Sequence, residues 1–477
     1  MARSIAFTLI FLLAPGLAAS SPLENSTGTE VFTGPSHPHA TSIYLNPAAL
    51  ALARRGQHLF IGGAFRLSQI SVDKQIFDDQ GDQFAAGPTI KDSLVAPGGL
   101  VGFYTSVADR GYFGVALHAP FWEEFPGEDS ALRYHSNGGR QWQTLFSMAG
   151  AFRANSRFLF GLGLSVSFTQ LNLNFSRDSA LEAGRGATRG TASDCSGARC
   201  GVENPEARQD YQFDVGTPGL RGLFATQNLG LSLGLSYRPY GNWWLSLAFL
   251  SPPGSIKSLA LGGRVQVNEA PRDGGQIANG RGEISFDMPP SLTLGVVGPI
   301  SDHLNLVADI RWLNSSRHSQ YDIRLFGGDL NTLEDVPEWY PRYRGFVDTW
   351  RFQVGLEGRE EQRIRLGGRL RYETGAVDAS TVTPLQIHGQ HLGAALSVGF
   401  RLTETLIVTA GYNVSWFPKI RANRSVFDPR DRLDCVDSNF DINRCDGARE
   451  GRALPTANGN YQKFEHALSL SIQYDRF

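Results

Sequence analysis

Long stretches of this sequence alternate apolar residues with small or polar ones, and this period of two is the strongest constraint on its fold. Segment 229–238 reads L-G-L-S-L-G-L-S-Y-R, and segments 391–402 and 405–418 show the same alternation. Successive side chains of a β-strand point to opposite faces, so each segment has one apolar face and one polar face. A transmembrane barrel needs such strands, because apolar faces meet lipid and polar faces line the lumen.

The connections between the alternating segments indicate how many strands the barrel has. We predict fourteen strands, at 57–74, 94–107, 111–121, 142–154, 157–176, 223–238, 241–268, 279–299, 302–324, 346–358, 361–374, 387–402, 405–418 and 461–477. Short and long connections alternate, as tight periplasmic turns and long outer loops do, and a β-sandwich does not produce this rhythm. The sequence therefore predicts an all-β fold, a 14-stranded antiparallel transmembrane β-barrel over residues 57–477.

Two segments precede the predicted barrel. Residues 1–20 have a positive start at Arg3, a short apolar core and small residues near the end, as a cleavable signal peptide does. Residues 21–56 show no strand alternation, and a turn signal at Asn46-Pro47 is followed by a short helical run. We expect this second segment to be a hatch that plugs the lumen. The alternative is a disordered periplasmic tail.

The four cysteines form two close pairs, Cys195 with Cys200 and Cys435 with Cys445. In an exported chain, two local disulfides are expected from this spacing. A metal site is the alternative, and it is weaker because no His lies near either pair. No dinucleotide-binding or P-loop motif occurs, so no cofactor is expected. The net charge of -2 gives no indication of a nucleic-acid partner.

Five motifs, in order along nearly the whole mature chain, resemble those of a known family. They are N-P-A-A before the first strand (Asn46 to Ala49), H-A-P-F ending the third (His118 to Phe121), S-P-P-G-S-I-K-S in the seventh (Ser251 to Ser258), D-M-P-P-S-L-T-L-G with L-V-A-D-I-R-W-L-N (Asp287 to Gly295, Leu306 to Asn314), and A-N-G-N-Y before the last (Ala457 to Tyr461). Together they resemble the long-chain fatty acid transporter (FadL) family of the outer membrane.

The resemblance implies a function and a route for the transported molecule. It implies a monomeric barrel in the outer membrane of a Gram-negative bacterium, which captures long-chain fatty acids or other hydrophobic small molecules at its outer loops. The ligand then leaves sideways into outer-membrane lipid through a gap by the third strand, which carries His118, Pro120 and Phe121. Pro120 suits such a gap because proline cannot donate to the sheet ladder. A proline at an ordinary strand end is the alternative.

The end of the chain indicates how the barrel reaches the membrane. Its last residues are S-I-Q-Y-D-R-F, and a terminal aromatic residue is typical of proteins inserted by the outer-membrane insertion machinery. We therefore expect this machinery to be a partner of the chain.

Two neighbouring strands point arginines into the lumen. Their inward positions hold Arg351, Gln353, Glu357, Arg363, Arg365, Arg369 and Arg371. Arginine binds carboxylates bidentately, so Arg351, Arg365, Arg369 and Gln353 are the candidate site for a ligand's head group. We expect Arg351 and Arg365 to be adjacent across the ladder. The alternative is that these arginines pair with Asp309, Asp348 and Glu357, because a buried unpaired charge is costly.

Three other functions remain as alternatives. A general diffusion porin for small polar solutes also has a polar lumen and long loops, but it needs no hatch. An outer-membrane phospholipase uses a His and a Ser on the barrel wall, but here His135 and Ser136 are adjacent and would face opposite sides of a strand. An adhesin or structural barrel is the third. The sequence thus favours a transporter that is not an enzyme.

Overall fold

Antiparallel strands close on themselves to form the wall of a barrel. The first strand, β1 (Gln57–Phe77), pairs with the last, β19 (Gly459–Arg476), with Gln57 opposite Arg476 and Lys74 opposite Gly459. Closure matters because lipid offers no partner to an unpaired backbone N–H or C=O group. The computed structural model describes residues 30–77, 83–107, 109–127, 132–178, 208–219, 222, 224–269, 275–333, 336–359, 362–423, 425–427 and 457–476. The expected signal peptide and all four cysteines, Cys195, Cys200, Cys435 and Cys445, lie outside the described residues.

The wall is built from single strands and from pairs of consecutive strands. One continuous strand fills each of nine positions: β1, β2 (Gln83–Ser106), β3 (Gly111–Glu124), β4 (Gly139–Arg153), β5 (Phe158–Asp178), β16 (Ile364–Glu373), β17 (His391–Arg401), β18 (Leu406–Ala422) and β19. Two strands share each of five positions: β6 (Arg208–Gly216) with β7 (Leu229–Tyr237), β8 (Trp244–Ser251) with β9 (Leu259–Glu269), β10 (Ile277–Phe286) with β11 (Ser291–Pro299), β12 (Leu304–Leu313) with β13 (Gln320–Phe326), and β14 (Trp339–Tyr343) with β15 (Thr349–Gly358). The predicted 14-stranded antiparallel barrel is therefore confirmed.

Two of the breaks within strand positions have a clear local cause. Pro252-Pro253 separates β8 from β9, and Pro289-Pro290 separates β10 from β11. Proline has no backbone N–H and cannot donate to a sheet ladder. The prediction of one uninterrupted strand over 279–299 is therefore wrong at its centre.

The apolar face of the wall changes sides along β5. Toward the periplasmic turns, the outward residues are exposed and apolar: Phe160, Leu162 and Leu164. Toward the outer end, the inward residues are buried and apolar (Leu171, Leu173 and Phe175), whereas the outward positions hold Gln170, Asn172 and Asn174. The outer part of the barrel is thus polar outside and apolar inside, as expected of a wall that extends beyond the lipid.

This change of sides explains an error in the strand prediction. Residues 177–222 were expected to form an outer loop, but β6 lies within that range. Its inward residues are apolar and buried, Tyr211, Phe213 and Val215, and its outward residues are Asp and Gln. Such a segment does not show the lipid-facing pattern of a transmembrane strand. Likewise, β1 and β2 extend into the expected loop at 75–93.

Residues 30–56 lie inside the barrel and are called the hatch below. They form 3₁₀ turns at Glu30–Phe32 and Pro47–Leu52 and a short helix, α1 (Ser42–Leu45). Ile43, Ala48 and Leu50 of the hatch are fully buried against the inner wall. Further 3₁₀ turns occur at Thr226–Asn228, Ser315–His318 and Leu330–Thr332. Across the described ranges, no helix is both long and apolar enough to span a membrane.

Glycines on the inner wall allow the hatch to approach the strand backbones. A Cβ atom on Gly161 would overlap the backbone nitrogen of Ala48, and one on Gly234 would overlap the side-chain oxygen of Asn46. Any larger residue at these positions must therefore displace the hatch or the wall. The N-P-A-A motif and the strand glycines thus form one packing unit.

We expect the double substitution G161A/G234A to displace the hatch and leave the barrel closed. Its two methyl groups would meet hatch atoms, whereas the ladders of β5 and β7 keep their register. Single-channel conductance in planar bilayers should rise above that of the wild type. The control G262A adds a methyl group where no heavy atom lies within 4 Å. Unchanged conductance in a barrel that keeps its heat-modifiable gel migration would contradict this packing role.

Candidate ligand-binding site

The hatch separates two cavities in the lumen. The central cavity has a volume of about 120 Å³ and is bounded by hatch residues 33–35, 41, 44 and 45. The periplasmic vestibule has a volume of about 540 Å³ and is lined partly by residues at the short turns, such as Arg238, Asn242 and Arg359. Among the residues that the structure describes, none lines both cavities.

Arginines form one side of the central cavity. Arg311 of β12, Arg351 of β15 and both Arg369 and Arg371 of β16 line it, and among its described lining residues only Asp309 is acidic. Each guanidinium has a neighbour in the wall. Nη2 of Arg311 donates to Oγ of Ser291 at 3.0 Å, and Nε of Arg371 donates to Oε1 of Gln353 at 3.1 Å.

Four arginines therefore stand beside one acid among the described lining residues, and Arg369 also approaches Glu357 outside the lining. Arg351 lies 3.9 Å from Asp309, at the outer limit of an ion pair. Carboxylates are the groups that guanidinium groups bind best. The cavity can therefore accommodate the anionic end of a ligand.

The opposite side of the central cavity borders the third strand. Leu100, His118 and Pro120 line it together with Tyr44 of the hatch. The rings of Tyr44 and His118 lie 4.6 Å apart. The predicted gate residues His118 and Pro120 thus border the cavity, whereas Phe121 does not line it and is buried against Leu313 of β12.

The ladder between β2 and β3 ends where the cavity meets the wall. Its last pair is Gly99 with Ala119, and beyond it the described part of β2 pairs with β1 only. Next to Pro120, the pairing of β3 with β4 also shifts register between His118 and Phe121. Beyond that point a side chain takes the place of the ladder, because the N–H of Val95 donates to Oε2 of Glu124 at 2.7 Å.

The structure brings together three of the four predicted head-group residues. Arg351, Gln353 and Arg369 line the central cavity, but Arg365 lines the vestibule. The expected adjacency of Arg351 and Arg365 is wrong, because the hairpin places Arg351 opposite Glu373. The turn after Gly358 sets this register and places Arg365 close to the periplasmic end.

Glu357 joins the hatch to the arginines of both cavities. Its Oε1 lies 2.7 Å from Nε2 of His37 in the hatch and 3.2 Å from Nη2 of Arg365, and its Oε2 lies 3.8 Å from Nη2 of Arg369. The side chain of Glu357 is only 2% exposed. These contacts, with Arg351 near Asp309, supply the acidic partners that the ion-pair alternative expected, whereas Asp348 instead accepts a hydrogen bond from Trp312.

The hatch carries a second buried histidine, His39. Burial is the main cause that lowers the pKa of His39 to about 3, and the neighbouring His37 and Arg365 side chains lower it further. Its ring is therefore neutral at neutral pH, and Nδ1 accepts a hydrogen bond from the N–H of Thr41 at 3.1 Å. His39 thus stabilises the turn of the hatch without adding charge to the lumen.

Sequence reasoning missed three residues of the site. Arg311 lies in the L-V-A-D-I-R-W-L-N motif at an inward position shared with Asp309, so the period of two could have identified it. His37 and Tyr44 belong to the hatch, which has no regular period. Their contacts with Glu357 and His118 could not be read from spacing.

The adjacent pair His135 and Ser136 does not form a catalytic arrangement. Both residues lie in a turn before β4 and are buried. The hydroxyl of Ser136 donates to the backbone carbonyl of Pro126. A nucleophilic serine needs its hydroxyl hydrogen-bonded to a base, so this contact gives no support to the enzyme alternative.

We expect E357Q to loosen the hatch. A hydrogen bond to a charged group contributes about 1.5–3 kcal/mol, and the neutral amide would also leave the charges of Arg365 and Arg369 less compensated. Hydrogen–deuterium exchange of residues 34–46 should become faster. E404Q, at an exposed carboxylate in a periplasmic turn, is the control. Equal exchange rates in both variants would show that Glu357 does not hold the hatch.

Solved structures share this fold. A Pseudomonas aeruginosa FadL homologue superposes with a TM-score of 0.71 at 15% identity, covering 96% of this chain and 99% of that one. The Pseudomonas putida toluene transporter TodX gives a TM-score of 0.62 at 14% identity, covering 96% and 98%. The Ralstonia pickettii toluene transporter TbuX gives 0.57 at 14% identity, covering 95% and 99%. Among curated proteins, none matches the sequence significantly.

A family model provides the assignment that the structural likeness alone cannot. It matches residues 32–441, which include the hatch from Phe32 onward and most of the barrel. Members of the matched family are transporters or channels for hydrophobic compounds. The chain therefore belongs to the outer membrane protein transport protein family (OMPP1/FadL/TodX), whose members are β-barrels of the Gram-negative outer membrane.

Proposed function

We propose that this protein takes up long-chain fatty acids or similar hydrophobic acids, with residues 21–56 as its hatch and a lateral exit beside β3. The observation that carries the proposal is the position of the central cavity, which has an arginine wall on one side and the end of the β2–β3 ladder on the other. A ligand bound there has its polar end and its exit in the same cavity. Aromatic hydrocarbons are the second candidate class, because toluene is the ligand named for TodX and TbuX.

Capture at the outer end is the first step of this route. The inner wall there is apolar, with Leu173, Phe175, Phe213 and Tyr211 in one buried cluster. Arg342 lies over the ring of Phe175, with its Cζ atom 4.0 Å from the ring centroid. These side chains pack against one another, so we propose that an apolar ligand inserts between them, where its removal from water favours binding. This part of the barrel is therefore suited to concentrating hydrophobic molecules.

Binding in the central cavity is the second step. Arg351 and Arg371 would hold the carboxylate of the ligand, with Arg369 and Gln353 beside them. The apolar part of the ligand would lie along Leu100, Leu250 and Pro120. A neutral hydrocarbon could use the same apolar wall, but it would gain nothing from the arginines.

Release through the wall is the third step. Proline at position 120 removes a ladder donor at the point where pairing with β2 ends. A small movement of Tyr44 away from His118 would open the cavity toward this part of the wall. A general diffusion porin, the alternative function, would instead need an open lumen, and the buried packing of the hatch argues against one.

The double substitution R351Q/R371Q should weaken binding of a carboxylated ligand more than binding of its neutral analogue. Loss of two charge-assisted hydrogen bonds should cost about 2–4 kcal/mol, or at least tenfold in affinity. Titration calorimetry with palmitate and hexadecanol in nonionic detergent gives the comparison. The control is R264Q, an exposed arginine outside both cavities. Equal losses for both ligands would rule out a head-group site.

Sealing the gap between β2 and β3 should stop uptake. The next pair in the register after Gly99 and Ala119 would be Gly98 with Pro120, so a disulfide in G98C/P120C would close the wall there. Uptake of radiolabelled palmitate by cells should fall on oxidation and recover with reductant. The single variant P120C is the control. Continued uptake by protein shown on gels to be cross-linked would exclude the lateral route.

A further inference from the structure

We propose that residues 376–388 form a lid over the outer end of the lumen, and that uptake requires this lid to swing outward. The lid lies in the connection between β16 and β17, and residues 382–389 of that connection are buried. Connections between strands normally run over the surface, because a buried loop must find partners for its backbone polar groups. The lid adds a gate to the uptake route proposed above, and this proposal rests on that route.

The lid is a compact loop whose two ends are joined to each other. The backbone N–H groups of Ala376 and Val377 donate to the carbonyl of His388 at 2.8 and 3.3 Å. Surface loops of this size, with their ends close together, pack as units and are often functional. Gly375 and Gly389 lie immediately outside the joined ends, and small residues at such positions suit a hinge. The loop can therefore move as one body.

The lid reaches across the lumen to β3. The ring N–H at Nε2 of His388 donates to Oε1 of Glu123 on β3 at 3.0 Å. In the wall, β18, β19, β1 and β2 separate β3 from β17, the strand that follows the lid. The side chains of His388 and Glu123 are only 6% and 13% exposed. This contact therefore crosses the interior of the barrel and is largely shielded from water.

A second polar contact fastens the lid to the segment before β15. Nε of Arg344 donates to Oε1 of Gln386 at 3.0 Å, and the amide of Gln386 donates back to the carbonyl of Arg344. Arg344 itself is held by a hydrogen bond of 2.7 Å to the hydroxyl of Tyr321 and by the ring of Phe346, whose centroid lies 4.4 Å from its Cζ atom. Hydrogen bonds to charged groups are stronger than neutral ones, so these contacts can hold the lid closed.

The tip of the lid lies between the proposed capture surface and the β2–β3 gap. Leu385 belongs to the same buried cluster as Phe175 and Phe213. Pro384 and Leu385 also border a cavity of about 30 Å³ beside Val95 of β2. This volume is far below the range of about 300–1,000 Å³ that is typical of small-molecule sites. A ligand that moves from the capture surface toward the gap must therefore displace the tip of the lid.

The test measures how fast the fluorescent fatty acid cis-parinarate enters and leaves the full-length barrel in nonionic detergent. A gate opens for the free and the occupied barrel alike, so a looser gate raises the association and dissociation rate constants by the same factor. Loss of the two hydrogen-bonded contacts in Q386A/H388A should raise both rate constants about tenfold or more in stopped-flow experiments. The Kd should stay within about twofold of the wild-type value.

A control variant and a second lid variant accompany this measurement. H303A/Q462A removes the same two side chains from exposed positions outside the lid and should leave both rate constants within about twofold. L385A keeps the polar contacts but removes the apolar tip, so it should change the rate constants in the same direction as Q386A/H388A. In both lid variants, hydrogen–deuterium exchange of residues 376–388 should become faster in a barrel that keeps its heat-modifiable gel migration.

Failure of the lid and failure of the proposed uptake give different results. Unchanged rate constants or unchanged hydrogen exchange in both lid variants would overturn the lid, as would a Kd that rises in step with the dissociation rate constant. Absence of cis-parinarate binding by the wild type would instead count against fatty acid uptake. Uptake of radiolabelled toluene by cells then tests the lid, because the lid covers the lumen for either ligand class. Faster toluene uptake in the lid variants would leave the lid standing, and unchanged toluene uptake would overturn it as well.

Discussion

The lipid around the barrel imposes the constraint on which the rest of the structure depends. Every backbone N–H and C=O group in hydrocarbon needs a protein partner, and pairing of β1 with β19 supplies those that an open sheet would lack. A closed wall leaves two ways through, the lumen and a local end of a ladder. The hatch occupies the lumen, and the ladder between β2 and β3 ends at Ala119. The hatch and the end of the β2–β3 ladder thus lie at the two places where a molecule could cross a closed wall.

The same constraint decides what could be predicted from the sequence. Where the wall faces lipid, the period of two is visible, and it correctly gave the inward side chains of Arg351, Gln353 and Arg369. Where the wall faces water, as in β6, apolar residues point inward and the lipid-facing pattern is lost. The depth of a residue along the barrel axis depends on which residues of neighbouring strands are paired. The alternation of apolar and polar residues does not specify that pairing. Arg365 was therefore placed on the correct face but at the wrong depth.

The hatch was the least predictable part of the site. Its short helix and 3₁₀ turns have no repeating face, so neither the contact of His37 with Glu357 nor that of Tyr44 with His118 could be inferred from spacing. The wall glycines could have given a signal, because a side chain at Gly161 or Gly234 would overlap Ala48 or Asn46. Glycines on one face of a strand can thus indicate where another segment packs closely against that strand.

Glu357 connects the hatch to the linings of the two cavities. Arg365 belongs to the vestibule and Arg369 to the central cavity, and both approach the carboxylate that holds His37. A carboxylate bound in the central cavity, as proposed, would compete with Glu357 for Arg369 and change the electrostatic support of the contact between Glu357 and His37. Because thermodynamic coupling is reciprocal, displacement of the hatch must change anion affinity by the same factor. Under the proposed function, the position of the hatch and ligand binding in the central cavity are then parts of one equilibrium.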